Sequence, residues 1–226
     1  MSETPERDTA AIKIERHSLH DAILNRLRDM IIEGDLPPGS RVNEGQIGSM
    51  LGVSRTPLRE ALKNLAGEGL VDLIPSRGAV VKKFAAKEVR DMLDVVRMLE
   101  ETAARSACEL ATTHGISKVR AMHDEMLGCY RSGDRLGYYK LNQDIHSAIV
   151  ALADNAALSD VHSLLQTRLK RIRFIGHEGP EKWAKAVAEH EEMIAALENR
   201  DADRLSAVIS KHLRKAWERV KDSLND

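Results

Sequence analysis

Three histidines occupy positions where an amphipathic helix would ordinarily carry an apolar side chain. His190 falls in line with Val187, Ile194 and Leu197, and His212 lies among Leu205, Val208, Ile209, Leu213 and Ala216, so both point inward. His146 borders the stripe of Leu141, Ile145, Ile149 and Leu152, with Asn142 one turn before it on the same edge. An imidazole is costly to bury alone, so a convergent group needs carboxylates, waters or a metal ion as partners. A second chemistry-bearing set is basic. Arg55, Thr56, Arg59 and Lys63 fall within roughly a hundred degrees of one another on a helical wheel. A helix with that face at its start can enter a DNA major groove, where guanidinium forks pair with guanine O6 and N7, and its free amides favour a phosphate. Residues 55–83 hold six basic side chains against three acidic ones, so the positive field is local. The plainer readings of the same residues are a solvated basic face and hydrogen-bonded core histidines.

The elements that must position these groups are mostly helical. Ile23, Leu24, Leu27, Met30 and Ile31 mark a first helix over 20–32, which the two prolines and two glycines between Gly34 and Ser40 stop. A short second helix, Glu44 to Leu51, ends at Gly52. The third begins at Ser54 as N-cap, tolerates Pro57 in its first turn, and buries Leu58, Ala61, Leu62 and Leu65. From Leu70 to Phe84 two β-rich runs flank a Pro-Ser-Arg-Gly turn, which reads as a hairpin with Arg77 and Gly78 at its tip. Beyond it a 3.6-residue periodicity predicts six helices near 87–113, 116–131, 134–153, 157–176, 180–199 and 201–223.

The fold class is therefore mainly α. A tail (1–16) precedes a small mixed domain (17–84) and an all-helical bundle (85–226). Seven aromatic residues are too few for a β-sandwich or barrel. The 226 residues carry 34 basic and 35 acidic side chains, and the longest apolar run, Ile149 to Ala153, is far short of the ~20 residues a membrane helix needs. The first sixteen residues lack the apolar stretch of a secretory signal and read as a flexible tail, so a cytoplasmic location is expected. Cys108 and Cys129 show no pairing pattern and are expected to be reduced thiols.

The run VNEGQIGSMLGVSRTPLREALKNLAGEGLVDLIPSRGAVV resembles the winged helix-turn-helix of GntR-type bacterial transcription regulators across residues 17–84. The resemblance implies operator contacts from Ser54, Arg55, Thr56 and Arg59, with Arg77 and Gly78 in the wing. Gly45 departs from the pattern: many relatives carry a charged residue there, so one backbone contact is expected to be missing.

The pattern NxxxH, EHxxM and KHL, each on its own helix, resembles the all-helical FCD-type domain of the FadR subgroup over residues 87–223. Members that bind metal hold one divalent ion with a carboxylate and three histidines, which implies Asn142, His146, His190 and His212 here. Asn142 replaces the usual Asp, removes one negative charge and weakens the expected site, though three imidazoles still suit zinc or nickel. Asp144, about 200 degrees round the helix, is a poor substitute. His162 is expected in a supporting or packing role; His17, His20, His114, His123 and His177 receive none.

The resemblance further implies a small carboxylate effector beside the ion, with Arg97 as its grip, although an ion pair between Arg97 and Glu100 or Glu101 is an equal reading. The basic run from Leu169 to Arg173 is expected to include exposed charges, one of which could reach the cavity. The expected protein is a homodimeric repressor of a palindromic operator, its two heads gaining affinity through effective concentration. Two rivals stand beside it. One is a sensor for which the ion itself is the signal; the other is a metal-dependent hydrolase with Glu189 or Glu191 as base.

Overall fold

The computed structural model describes residues 17–175 and 180–224, which leaves the expected tail (1–16), His177 and the Gly176–Gly179 break outside the described residues. The small domain contains α1 (His17–Glu33), α2 (Glu44–Leu51), α3 (Arg55–Gly67) and the antiparallel strands β1 (Val71–Ile74) and β2 (Gly78–Val81). Val71 pairs with Val81 and Ile74 with Gly78, so residues 75–77 form the tip, where Ser76 and Gly78 both adopt positive φ. Leu27, Met30 and Ile31 of α1, Ile47 of α2, and Leu58, Leu62 and Leu65 of α3 close one core with Val71 and Val81. The stripe expected on α3 is the one buried, and it leaves the basic face outward.

The bundle comprises α4 (Ala86–Leu110), α5 (Thr113–Ser132), α6 (Arg135–Ala151), α7 (Ala156–Ile175), α8 (Pro180–Glu198) and α9 (Ala202–Val220), followed by a 3-10 turn, Lys221–Leu224. α4 is central and packs on α6, α7 and α9. One expected break is displaced. The first bundle helix stops at Leu110 rather than near residue 113, because the Thr112 hydroxyl accepts a bond from Gly115 N (3.1 Å) and starts the next helix. Gly115 belongs to α5 instead of ending α4; a Cβ there would meet Leu152 Cδ2 at 2.7 Å. Gly133, in the left-handed region, ends α5 as expected.

The two domains meet along α7. Arg171 donates to the carbonyls of Ile31 (3.2 Å) and Ile32 (3.0 Å) at the end of α1, Lys140 pairs with Asp29 (2.7 Å), and Ile32 packs with Tyr139 and Phe174. A cation against the last carbonyls of a helix is favoured by the helix dipole. No described helix is long and apolar enough to cross a membrane.

Candidate functional site

The start of α3 is a surface built for contact. Ser54, Arg55, Thr56, Arg59 and Arg77 are exposed, and of the six expected residues Arg55, Arg59 and Gly78 share one concavity. Ser54 has the extended backbone of an N-cap, but its side chain makes no capping bond, which corrects the expected capping role. Pro57 follows in the first turn, where a missing amide costs little. Asn43 does cap α2, accepting from Gly45 N and Gln46 N (both 3.1 Å). Arg41, Glu44, Arg55, Arg59 and Gly78 line one concavity of about 670 Å³ between α2, α3 and the hairpin. Arg59 Nε donates to Glu44 Oε2 at 2.7 Å, a pair the sequence reading missed because the partners lie fifteen residues apart. A carboxylate there restrains the guanidinium.

The second constellation is deep in the bundle. His146 (α6), His190 (α8) and His212 (α9) are fully buried, their ring centroids lie 5.1–5.2 Å apart, and one nitrogen from each falls within 4.8 Å of the others. His146 Nδ1 donates to Glu100 Oε2 (2.6 Å) and His212 Nδ1 donates to Glu189 Oε2 (2.8 Å). Each bond fixes the tautomer and leaves Nε2 as a lone pair. Those two Nε2 atoms are buried with no hydrogen-bond partner among the described residues. A carboxylate behind an imidazole whose other nitrogen faces inward is the arrangement that supports a metal-ligating histidine. Asn142 Nδ2 lies 2.7 Å from His190 Nε2, and its Oδ1 accepts from Gln143 Nε2 (2.8 Å). The three histidines fit a first-row divalent ion, whereas Asn142 presents its Nδ2 to His190 and would offer its carbonyl only if Gln143 turned with it.

The residues that hold this arrangement were not all foreseen. Glu100 is buried on α4 and also accepts from His162 Nε2 (3.0 Å), which gives His162 a supporting role through that shared carboxylate. Burial alone would raise the Glu100 pKa; the facing His146 and His162 instead hold it below the ordinary carboxylate range. Burial also lowers the His146 pKa, and it pushes His212 well below the ordinary histidine value, helped by the neighbouring imidazoles and by Arg219 and Arg173. Glu189 lies behind His212 and is engaged by it, by Lys215 and by Arg219, and Glu191 is held by Arg120 at the surface (3.0 Å).

Arg97 donates to Glu101 Oε1 (2.8 Å) and lines a groove between α4 and α9 that contains none of the three histidines. The arginines nearest the cluster are Arg173, bonded to Gln166 and buried, and Arg219, two turns after His212 on the same face and 4.0 Å from Glu189. The run expected to include exposed charges has none that is fully exposed: Arg171 holds α1, Lys170 is half-buried and Arg173 is internal. His123, given no role from sequence, is fully buried on α5 with Nδ1 3.5 Å from Glu191, and burial lowers its pKa. His20 joins Asn64 across α1 and α3 (2.8 Å), and His114 is exposed. Both cysteines are free.

These depressed imidazoles give stability a sign with pH. Below about pH 6.5 the unfolded chain binds protons that folded His123, His146 and His212 refuse, so stability falls with falling pH by about 1.4 kcal/mol per unit for each. In chelator-treated protein the urea midpoint is expected to hold from pH 8 to 7 and to drop steadily from 6.5 to 5.5. A flat profile would contradict neutral burial.

Comparison with known proteins decides the identity of the two parts. Residues 19–81 match the bacterial regulatory proteins of the gntR family, and residues 91–215, more than half the chain, match the FCD domain. The chain belongs to the GntR family, with an FCD domain. Among its relatives are the Nta operon transcriptional regulator of Aminobacter aminovorans, 28% identical over 84% of this chain and 89% of its own, and the transcriptional repressor RspR of Escherichia coli, 24% identical over 90% and 89%. The solved structure of E. coli McbR/YncC shares the fold with a TM-score of 0.78 at 19% identity, covering 92% of this chain and 99% of that one. This GntR-family protein is a DNA-binding transcriptional regulator, and its relatives are regulators rather than enzymes, which removes the hydrolase reading.

Proposed function

We propose that this regulator is a homodimeric repressor whose operator affinity is set by a small carboxylate bound beside a divalent ion in the bundle. The observation that carries the ion is the pair of inward Nε2 atoms on His146 and His212, each backed by a carboxylate and each without a protein partner among the described residues. His190 and the Asn142 carbonyl complete the ligand set, zinc or nickel being the ions best suited to three imidazoles. The bound ion would supply a positive charge to which an anionic effector can add a ligand.

For the carboxylate grip we favour Arg219, with Arg173 beside it, over Arg97. Arg219 Nε and Nη2 and the Trp183 indole N–H are buried donors without partners among the described residues, and both side chains belong to the surroundings of Tyr138. Arg97 is already spent on Glu101. DNA contact falls to Ser54, Arg55, Thr56, Arg59, Arg77 and Gly78. A second copy is supported by the exposed Val95 and Met98 of α4 and Val161 and Leu164 of α7, on two helices that touch. An effector alters DNA binding only if it prefers one placement of the heads over another.

The test is fluorescence anisotropy of operator DNA titrated with protein that is chelated, then zinc- or nickel-loaded, then given C2–C6 hydroxy and keto acids. A shift of operator affinity by acid in loaded but not chelated protein is expected. An equal shift by metal alone would instead favour the pure metal sensor.

A further inference from the structure

The junction between reading head and bundle contains a cavity of about 240 Å³ that the regulatory reading above does not use. Its walls are apolar: Ile31 and Leu70 from the head, Phe84 from the linker, and Ile172 and Ile175 from α7. Its rim is cationic, with Lys82, Lys83, Arg168 and Arg171, and no carboxylate lines it among the described residues. Lys82 shares its charge with Asp72 (3.3 Å), and Arg171 donates to the carbonyls of Ile31 and Ile32.

The cations are held in place by the fold. Arg168 and Arg171 are one turn apart on α7, and each lies against a positive-φ glycine of the head. A Cβ at Gly69 would stand 2.8 Å from Arg168 Nε, and one at Gly34 would stand 2.7 Å from Arg171 Nη1. Arg168 Nε is buried and has no hydrogen-bond partner among the described residues, an unusual condition for a charged donor. Buried apolar area next to an unfilled guanidinium selects a ligand with both characters.

We propose that this junction binds an organic monoanion with an apolar body, a medium-chain or aromatic carboxylate, its carboxylate on Arg168 and Lys83 and its body between Leu70, Phe84 and Ile172. The site is separate from the histidine cluster and does not depend on it. Because its walls come from head, linker and bundle, an occupied junction fixes one relative placement of the two domains.

Isothermal titration of the full chain, treated with chelator, against octanoate and benzoate tests this, with acetate and benzyl alcohol as comparators lacking the body or the charge. Octanoate is expected to bind wild type and Arg219→Gln alike and to bind Arg168→Gln about tenfold more weakly or worse. Acetate and benzyl alcohol are expected to show no saturable binding. Unchanged octanoate affinity in a folded Arg168→Gln, or loss of binding in Arg219→Gln, overturns the proposal; the second result would move the ligand to the bundle site. Should circular dichroism show Arg168→Gln unfolded, the exposed Lys83→Gln decides in its place: weaker binding supports the site and equal binding overturns it.

Discussion

Replacing Arg59 with alanine is expected to reduce selective operator binding by about 30- to 10⁴-fold while leaving the head folded. A bidentate arginine–guanine pair discriminates by about 1–3 kcal/mol, and a two-headed protein places two of them on one operator. The side chain is exposed and contributes nothing to the head core, so thermal stability should change by less than about 0.5 kcal/mol. Footprinting of wild type and Arg59→Ala on a pool of operator variants measures the loss. Undiminished selectivity would remove α3 from the reading role. Glu44→Gln makes a gentler companion: the Nε contact at 2.7 Å loses its charge, the guanidinium is less restrained, and affinity should fall less than for Arg59→Ala.

Truncation of His212 should empty the bundle of metal. The imidazole supplies one of three convergent nitrogens, and its removal also leaves Glu189 without the Nδ1–H that now satisfies it. Metal content of His212→Ala, measured by plasma mass spectrometry after dialysis against a buffered zinc or nickel pool, is expected to be at background. Glu189→Gln keeps the ligand and disturbs only its support, so affinity should fall by the ~10–100-fold typical of such partners. Asn142→Asp restores a negative ligand and should tighten the ion. Equal metal content across all four proteins would defeat the assignment of the cluster.

How much of this was legible in advance differs between the two sites. The reading helix is a local object: the apolar stripe Leu58, Ala61, Leu62 and Leu65 and the basic face beside it are fixed by 3.6-residue geometry within thirteen residues. The inward direction of His190 and His212 was legible for the same reason, since each interrupts an apolar stripe. The partners were not. Glu100 sits on the stripe of Leu93, Val96, Ala103 and Ala107 that α4 buries, so its inward direction follows from the same periodicity, but nothing in the local sequence names His146 and His162, 46 and 62 residues away, as its partners. His123 was passed over, although it lies on the stripe of Ile116, Val119 and Met126 that α5 buries and is itself wholly inside.

Helix ends show the same division. Gly133 ends α5 as its type demands, whereas the α4–α5 boundary depended on which of several hydroxyls would cap, and Thr112 rather than a glycine did so. Arg97 and Arg219 make the point for charge. The periodicity of α4 offers Arg97 a partner one turn on, and it takes Glu101; Arg219 shares a face of α9 with His212, and the packing of α9 on α8 brings it to Glu189.

The amino-acid order alone determined the two domains, the hairpin, the outward basic face and the inward histidines, because each follows from backbone periodicity and short-range steric rules. Only the folded chain decided which carboxylates back the imidazoles, which guanidinium groups approach them, and how α7 joins head to bundle. Those contacts join residues far apart in the chain, and their energies arise from mutual burial of charge, a quantity that no single segment possesses.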